Sequence, residues 1–138
     1  MFLGNQFGKT LDVLHRTMDV NLLRQDVIAN NIANSDTPNF KRSTVSFETS
    51  LQSALDSERV RTFPTALTDE QHMPFHRPTD YRSVAPRRNL DYLTTVKNNG
   101  NNVDIEVEST NFLSSQMAYT LMTNSVSAQF RQLSLVLR

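Results

Sequence analysis

Cysteine and tryptophan are absent from the chain, and the first absence closes off a good deal of chemistry. Without cysteine there is no disulfide, no thiolate nucleophile and no cysteine metal ligand. The compartment stays open, since a cysteine-free chain suits reducing and oxidising surroundings alike. Net charge is missing too: fourteen Lys and Arg balance fourteen Asp and Glu, so no overall field draws in nucleic acid or anionic lipid. No apolar run approaches the roughly 20 residues of a membrane-spanning helix, which argues against an integral membrane protein. The first residues lack the basic-then-apolar order of a cleaved signal peptide. With 138 residues and 38% hydrophobic content, the expectation is one domain with a modest core.

What is present begins with periodicity. From Thr10, apolar residues recur at Leu11, Leu14, Met18, Leu22, Ile28 and Ile32, the three-and-four spacing of an amphipathic helix. Residues 1–9, with Gly4, Asn5 and Gly8, are expected to be a flexible leader. The helix should stop near Ala33 or Asn34. Asn34 is a candidate left-handed terminator, Thr37 is pushed towards extended backbone by Pro38, and Pro38 cannot continue a helix. Asn39 stands where a turn needs positive φ, and Phe40 offers an aromatic anchor for the returning chain.

Residues 41–102 change character. Phe47, Leu51 and Leu55 suggest a short helix near Ser46 to Ser57, and Val60 to Thr62 a short strand. Pro64, Pro74, Pro78 and Pro86 punctuate the polar remainder, which is expected to be irregular. His72 and His76 flank Pro74 with no completing ligand set, so no metal or other cofactor is expected. Arg77, Arg82, Arg87 and Arg88 form a local basic run better suited to a protein neighbour than to nucleic acid.

Asn98 to Asn102 is a turn cluster, and Asp104 can cap a following helix. Glu106 and Glu108 then suit the positive end of that helix's dipole. A stripe of Ile105, Phe112, Gln116, Tyr119, Thr123, Val126, Phe130, Leu133 and Leu137 predicts a coiled-coil-like seam over 103–138. No charged residue lies between Glu108 and Arg131, so the remaining faces look made for contact with protein. The predicted fold is mainly α, with N- and C-terminal helices paired as an antiparallel coiled coil around a loop-rich, partly disordered or short-β middle. Its segments are a 1–9 leader, a 10–40 helix and corner, a 41–102 insert and a 103–138 helix. No nucleophile is matched with a base and no phosphate loop is found, so a non-enzymatic role is expected.

The ordered run Ala29, Asn31, Ile32, Ala33, Asn34, Thr37, Pro38, Phe40 and Lys41 resembles the N-terminal motif of the bacterial flagellar rod, hook and hook-associated axial proteins. The likeness covers roughly residues 10–48 and 98–138. Two departures stand out: Asn39 where that family usually has glycine, and Phe40 for tyrosine. The first keeps a residue that tolerates left-handed backbone; the second keeps the ring and loses a hydroxyl. The resemblance implies a structural part of the flagellar basal body, a periplasmic proximal rod built by self-assembly and exported uncleaved by the flagellar type III apparatus. Implied partners are other rod proteins, the rod–base adaptor FliE, and export-gate or ring proteins, in a homo-oligomeric or mixed helical array. The alternative is a helical adaptor or export chaperone for axial proteins.

Overall fold

The computed structural model describes residues 5–60, 66, 68–73 and 78–137. Helix α1 spans Gln6–Ala33, strand β1 Ser43–Ser46, α2 Glu48–Arg59, strand β2 Arg87–Leu90 and α3 Ile105–Val136, with a single 3-10 turn at Tyr81–Ser83. The protein is thus mainly helical, with two long terminal helices packed on each other and a two-stranded sheet between them in sequence. The chain up to Val45 and from Arg88 onward forms one compact unit, and Ser46–Arg87 forms a second.

Helix α1 starts earlier than hydrophobic spacing suggests because Asn5 caps it: its Oδ1 accepts from Gln6 N at 2.9 Å. Spacing cannot show a start made by one polar side chain. Asp12–Arg16 and His15–Asp19 then line its wet side at 3.9 and 3.4 Å, the four-apart geometry that favours such pairs. Helix α3 starts where Asp104 Oδ1 accepts from Glu106 N at 3.0 Å and Val107 N at 3.4 Å.

Burial defines how these two helices meet. On α3 the positions turned inward step by four and three: Glu108, Phe112, Ser115, Tyr119, Met122, Val126, Gln129, Leu133. On α1 the matching set is Leu14, Thr17, Asn21, Arg24, Ile28 and Asn31. Both are heptad seams. The helices run antiparallel, since Asn31 bonds Glu108 while Asn21, earlier in α1, bonds Ser115, later in α3. Polar pairs inside the seam fix its register, because sliding either helix would bury each group without its partner.

The inward set differs from the hydrophobic stripe at alternate positions. Phe112, Tyr119, Val126 and Leu133 are half-buried as the stripe expects, but their companions are Ser115, Met122 and Gln129 rather than Gln116, Thr123 and Phe130. Phe130 and Leu137, nearer the end of the chain, are 52% and 81% exposed. On α1, Leu11, Leu14, Met18 and Ile32 are half-buried and Ile28 is buried, whereas Leu22 faces outward.

In the second unit, α2 buries Leu51 and Ala54, with Phe47 buried just before it. Ser57 Oγ accepts from Thr79 N at 3.0 Å, and Arg82 lies over the Tyr81 ring, 5.6 Å from its centroid. No strand includes Val60, and residues 61–62 lie outside the described residues. Strand β1 pairs with β2, a pairing absent from the sequence expectation. Asp91 N donates to Arg42 O at 2.9 Å just outside the strands, so the two run in opposite directions.

Candidate functional site

The corner after α1 is built by asparagines. Asn34 ends the helix with φ −102° and ψ 15°, so it is not the left-handed residue its sequence position suggested. Its Nδ2 instead donates back to Asn30 O at 2.8 Å, which satisfies a terminal carbonyl without a change of handedness. The left-handed residue is Asn39, φ 58°, and its N–H donates to Asn99 O at 3.0 Å. Asparagine tolerates that backbone best among residues with a side chain.

Asn101 holds the corner from the other side. It is fully buried, and its Nδ2 lies 2.9 Å from each of the carbonyl oxygens of Asn34, Ser35 and Thr37. Its Oδ1 accepts from Val103 N at 2.7 Å. Lys97 Nζ adds Ser35 O at 2.8 Å and Asp36 Oδ1 at 3.1 Å, and Lys41 Nζ donates to Gly100 O at 2.9 Å. The Thr37–Lys41 turn and the 97–103 turn are therefore one latched structure, although some sixty positions separate them in sequence. Gly100 makes it possible. Its φ is +79°, and a Cβ there would meet Asn39 Oδ1 at 2.7 Å. Gly100→Ala is expected to cost about 1 kcal/mol, chiefly left-handed strain since the exposed Asn39 side chain can swing aside, read as a lower thermal midpoint of the full chain.

One step further in sits the buried centre. Asn31, fully buried, donates from Nδ2 to Ser43 O at 2.8 Å and to Glu108 Oε2 at 3.0 Å, while its Oδ1 accepts from Ser43 N at 3.0 Å. Arg42 Nε stands 2.6 Å from Glu108 Oε1. Glu108 is thus a buried partner 1% exposed, not only a carboxylate suited to the helix dipole. Asn102 completes the link: its Oδ1 accepts from Arg42 N at 2.6 Å and its Nδ2 donates to Asp91 O at 2.7 Å. The Asp91 carboxyl is held below its ordinary value, chiefly by the Thr94 hydroxyl; burial acts the other way, and the N–H groups of Leu93 and Thr94 and the charge of Arg42 add to the lowering.

The structure places the motif residues in two groups. Asn31 is wholly buried and Ile32, Asn34, Phe40 and Lys41 are half-buried; Ala29, Ala33, Thr37 and Pro38 are exposed. Sequence reasoning missed Asn101, Asn102, Arg42 and Ser43. The turn cluster was visible, but nothing in it shows which asparagine reaches which carbonyl. Among the described residues no group of three or more His, Asp or Glu is placed to hold a metal ion, and no helix is long and apolar enough to cross a membrane.

Beyond the latch, α3 presents a face that its own chain leaves open. Leu113, Met117 and Leu121 lie four apart along it, Leu121 being 69% exposed, and Leu135 lies on the same side nearer its end. The residues from Ser109 to Phe130 include no charge.

A family model described as flagella basal body rod protein matches residues 11–41. The chain is also 43% identical to the flagellar basal body rod protein FlgB of Borrelia hermsii, across 97% of this chain and 99% of that protein. It belongs to the FlgB family. FlgB of Borreliella burgdorferi is 42% identical over the same shares, and FlgB of Bacillus subtilis 34% identical over 95% of each chain. As a member of the FlgB family the chain is a structural component of the flagellar basal body rod and associates there with other rod components. The family-model match runs from Leu11 to Lys41, so it takes in α1 from its second turn onward and the first half of the latched corner.

Proposed function

We propose that the chain builds the periplasmic, proximal part of the rod by self-assembly, packing the outward face of α3 against neighbouring subunits in a homo-oligomeric or mixed helical array. The observation that carries this reading is the open α3 face, apolar at Leu113, Met117 and Leu121 and free of charge from Ser109 to Phe130. A contiguous apolar surface of this kind marks a protein contact. An uncharged surface also packs laterally without burying unpaired ions. Phe130, Leu137 and Leu22 join the contact surface, while the seam and corner set where that surface points. The role is that of a building part, and no residue is assigned to catalysis.

The subunit reaches the rod through the flagellar type III export apparatus, and its neighbours include other rod proteins, the adaptor FliE and export-gate or ring proteins. Contacts of head-to-tail type suit this task, since a closed two-fold pair cannot propagate. The second reading, an adaptor or export chaperone, makes the same open face a transient docking surface. Fractionation separates the two. Epitope-tagged full-length chain is expected in detergent-isolated basal bodies; recovery from the cytoplasm alone would leave the chaperone reading in its place.

A further inference from the structure

We propose that Asn99 is a site of spontaneous isoaspartate formation, and that the latch between the corner and the 97–103 turn holds the reaction in check. A chain with the latch closed stays intact. A chain left open modifies itself and loses the means to close.

The sequence supplies the reacting pair. Of the three glycines only Gly100 follows an asparagine, and a residue without a Cβ leaves its main-chain nitrogen unhindered. Asn99 is exposed, so water reaches it. Gly100 N gives up its proton to water and attacks Asn99 Cγ; the bond from Cγ to the side-chain nitrogen breaks, and ammonia leaves with a proton taken back from water. A five-membered imide results, and a water molecule then opens it. Breaking the new bond, Cγ to Gly100 N, gives aspartate. Breaking the old one, from the main-chain carbonyl carbon of Asn99 to Gly100 N, gives isoaspartate, whose chain runs on through Cβ and Cγ. In sum, a side-chain amide and water become a carboxylate and ammonium, with no oxidant or reductant involved.

The closed latch holds the atoms this reaction needs. Gly100 N donates to Lys97 O at 3.1 Å, Asn39 N donates to Asn99 O at 3.0 Å, and Asn99 Oδ1 accepts from Asn101 N at 3.1 Å. The departing proton is thus bonded. The Asn99–Gly100 peptide is pinned at both its oxygen and its nitrogen, which keeps it from turning to bring that nitrogen onto Cγ. Lys41 Nζ pins the next peptide through Gly100 O at 2.9 Å. The Asn39 and Lys41 bonds come from the other half of the latch, so they exist only while it is closed. Reaction then runs through open forms, whose population sets its rate. The two products differ in their effect. Aspartate keeps an oxygen for Asn101 N. Isoaspartate adds one main-chain carbon before Gly100 and turns the oxygen that met Asn39 N into a side carboxylate, which shifts Asn101 off the carbonyls of Asn34, Ser35 and Thr37.

Ageing the purified full-length chain tests this. Samples stand at neutral pH in native buffer and in guanidinium chloride, and are then labelled with isoaspartyl methyltransferase and radioactive S-adenosylmethionine and mapped by peptide mass. In denaturant the label is expected on the peptide holding residues 98–100, and in native buffer it should appear there at least about tenfold more slowly. Asn99→Gln, whose ring would need six members, should lose that label in denaturant. Lys41→Met removes one tie of the latch and leaves the reacting pair alone; with its helical signal unchanged, it should speed labelling in native buffer about fivefold, the worth of one hydrogen bond. Absence of label at Asn99 in denaturant overturns the site. Equal rates in the two solutions, or an unchanged rate for Lys41→Met, overturn the latch as its guard. Asn99→Asp should unfold at the wild-type midpoint and the refolded isoaspartyl chain at a lower one; equal midpoints for these two overturn the loss of closure.

Discussion

Replacing Glu108 with alanine is expected to lower the stability of the chain by about 3 kcal/mol, close to the cost of breaking a buried charged pair. The carboxylate is 2% exposed at its side chain, accepts a hydrogen bond from Asn31 Nδ2 and is ion-paired with the Arg42 guanidinium. Arg42, 27% exposed at its side chain, can turn to water and recover part of the loss. Asn31 has no such exit, since it is wholly buried. It keeps Ser43 O and loses its second acceptor. Glu108→Gln should cost less, because an amide oxygen can still accept from Asn31. Thermal unfolding followed by far-ultraviolet circular dichroism checks this: a midpoint roughly 10 °C lower for the alanine variant, with glutamine in between. A wild-type midpoint for Glu108→Ala would mean the buried pair does not fix the seam.

Asn101→Asp should be worse than Asn101→Ala, although aspartate has nearly the same shape. Alanine strips the buried Val103 N–H of its acceptor and takes one of two donors from each of the carbonyl oxygens of Asn34, Ser35 and Thr37, which keep Thr37 N, Lys97 Nζ and Phe40 N, a loss of about 2 kcal/mol. Aspartate keeps that acceptor but places a second anionic oxygen against the three carbonyl oxygens, where like faces like in a buried site. Its only escape is to take up a proton, which makes its penalty fall as pH drops through the carboxylate range. Chemical denaturation of both variants at neutral and acidic pH decides the order. Equal stability of the aspartate variant and the wild type at neutral pH would remove Asn101 from the latch.

The sequence showed where α1 stops and α3 starts better than how either helix is rotated. Asp104 caps α3 and α1 stops at Ala33, because caps and breakers act over a few neighbouring residues. The seam was only half legible. Phe112, Tyr119, Val126 and Leu133 step by seven, but their companions lie either three or four positions further on. Phe130 and Leu137 favour the second choice on hydrophobicity, and the structure takes the first, through Ser115, Met122 and Gln129. The reason is that Ser115 and Glu108 find Asn21 and Asn31 on α1, partners distant in sequence that periodicity cannot see. The β1–β2 pairing was hidden for a similar reason, since Arg87–Leu90 carries no alternation of apolar and polar residues.

Because the chain has no cysteine, one introduced thiol reports on one place. Leu121→Cys puts it on the open face of α3, and its reaction rate with a maleimide can be compared between the free full-length chain and isolated basal bodies. If neighbours cover that face in the rod, the thiol reacts readily in the free chain and at least about tenfold more slowly in the assembled one, as expected for a buried contact. Equal rates in both states would contradict the claim that this face holds the rod together.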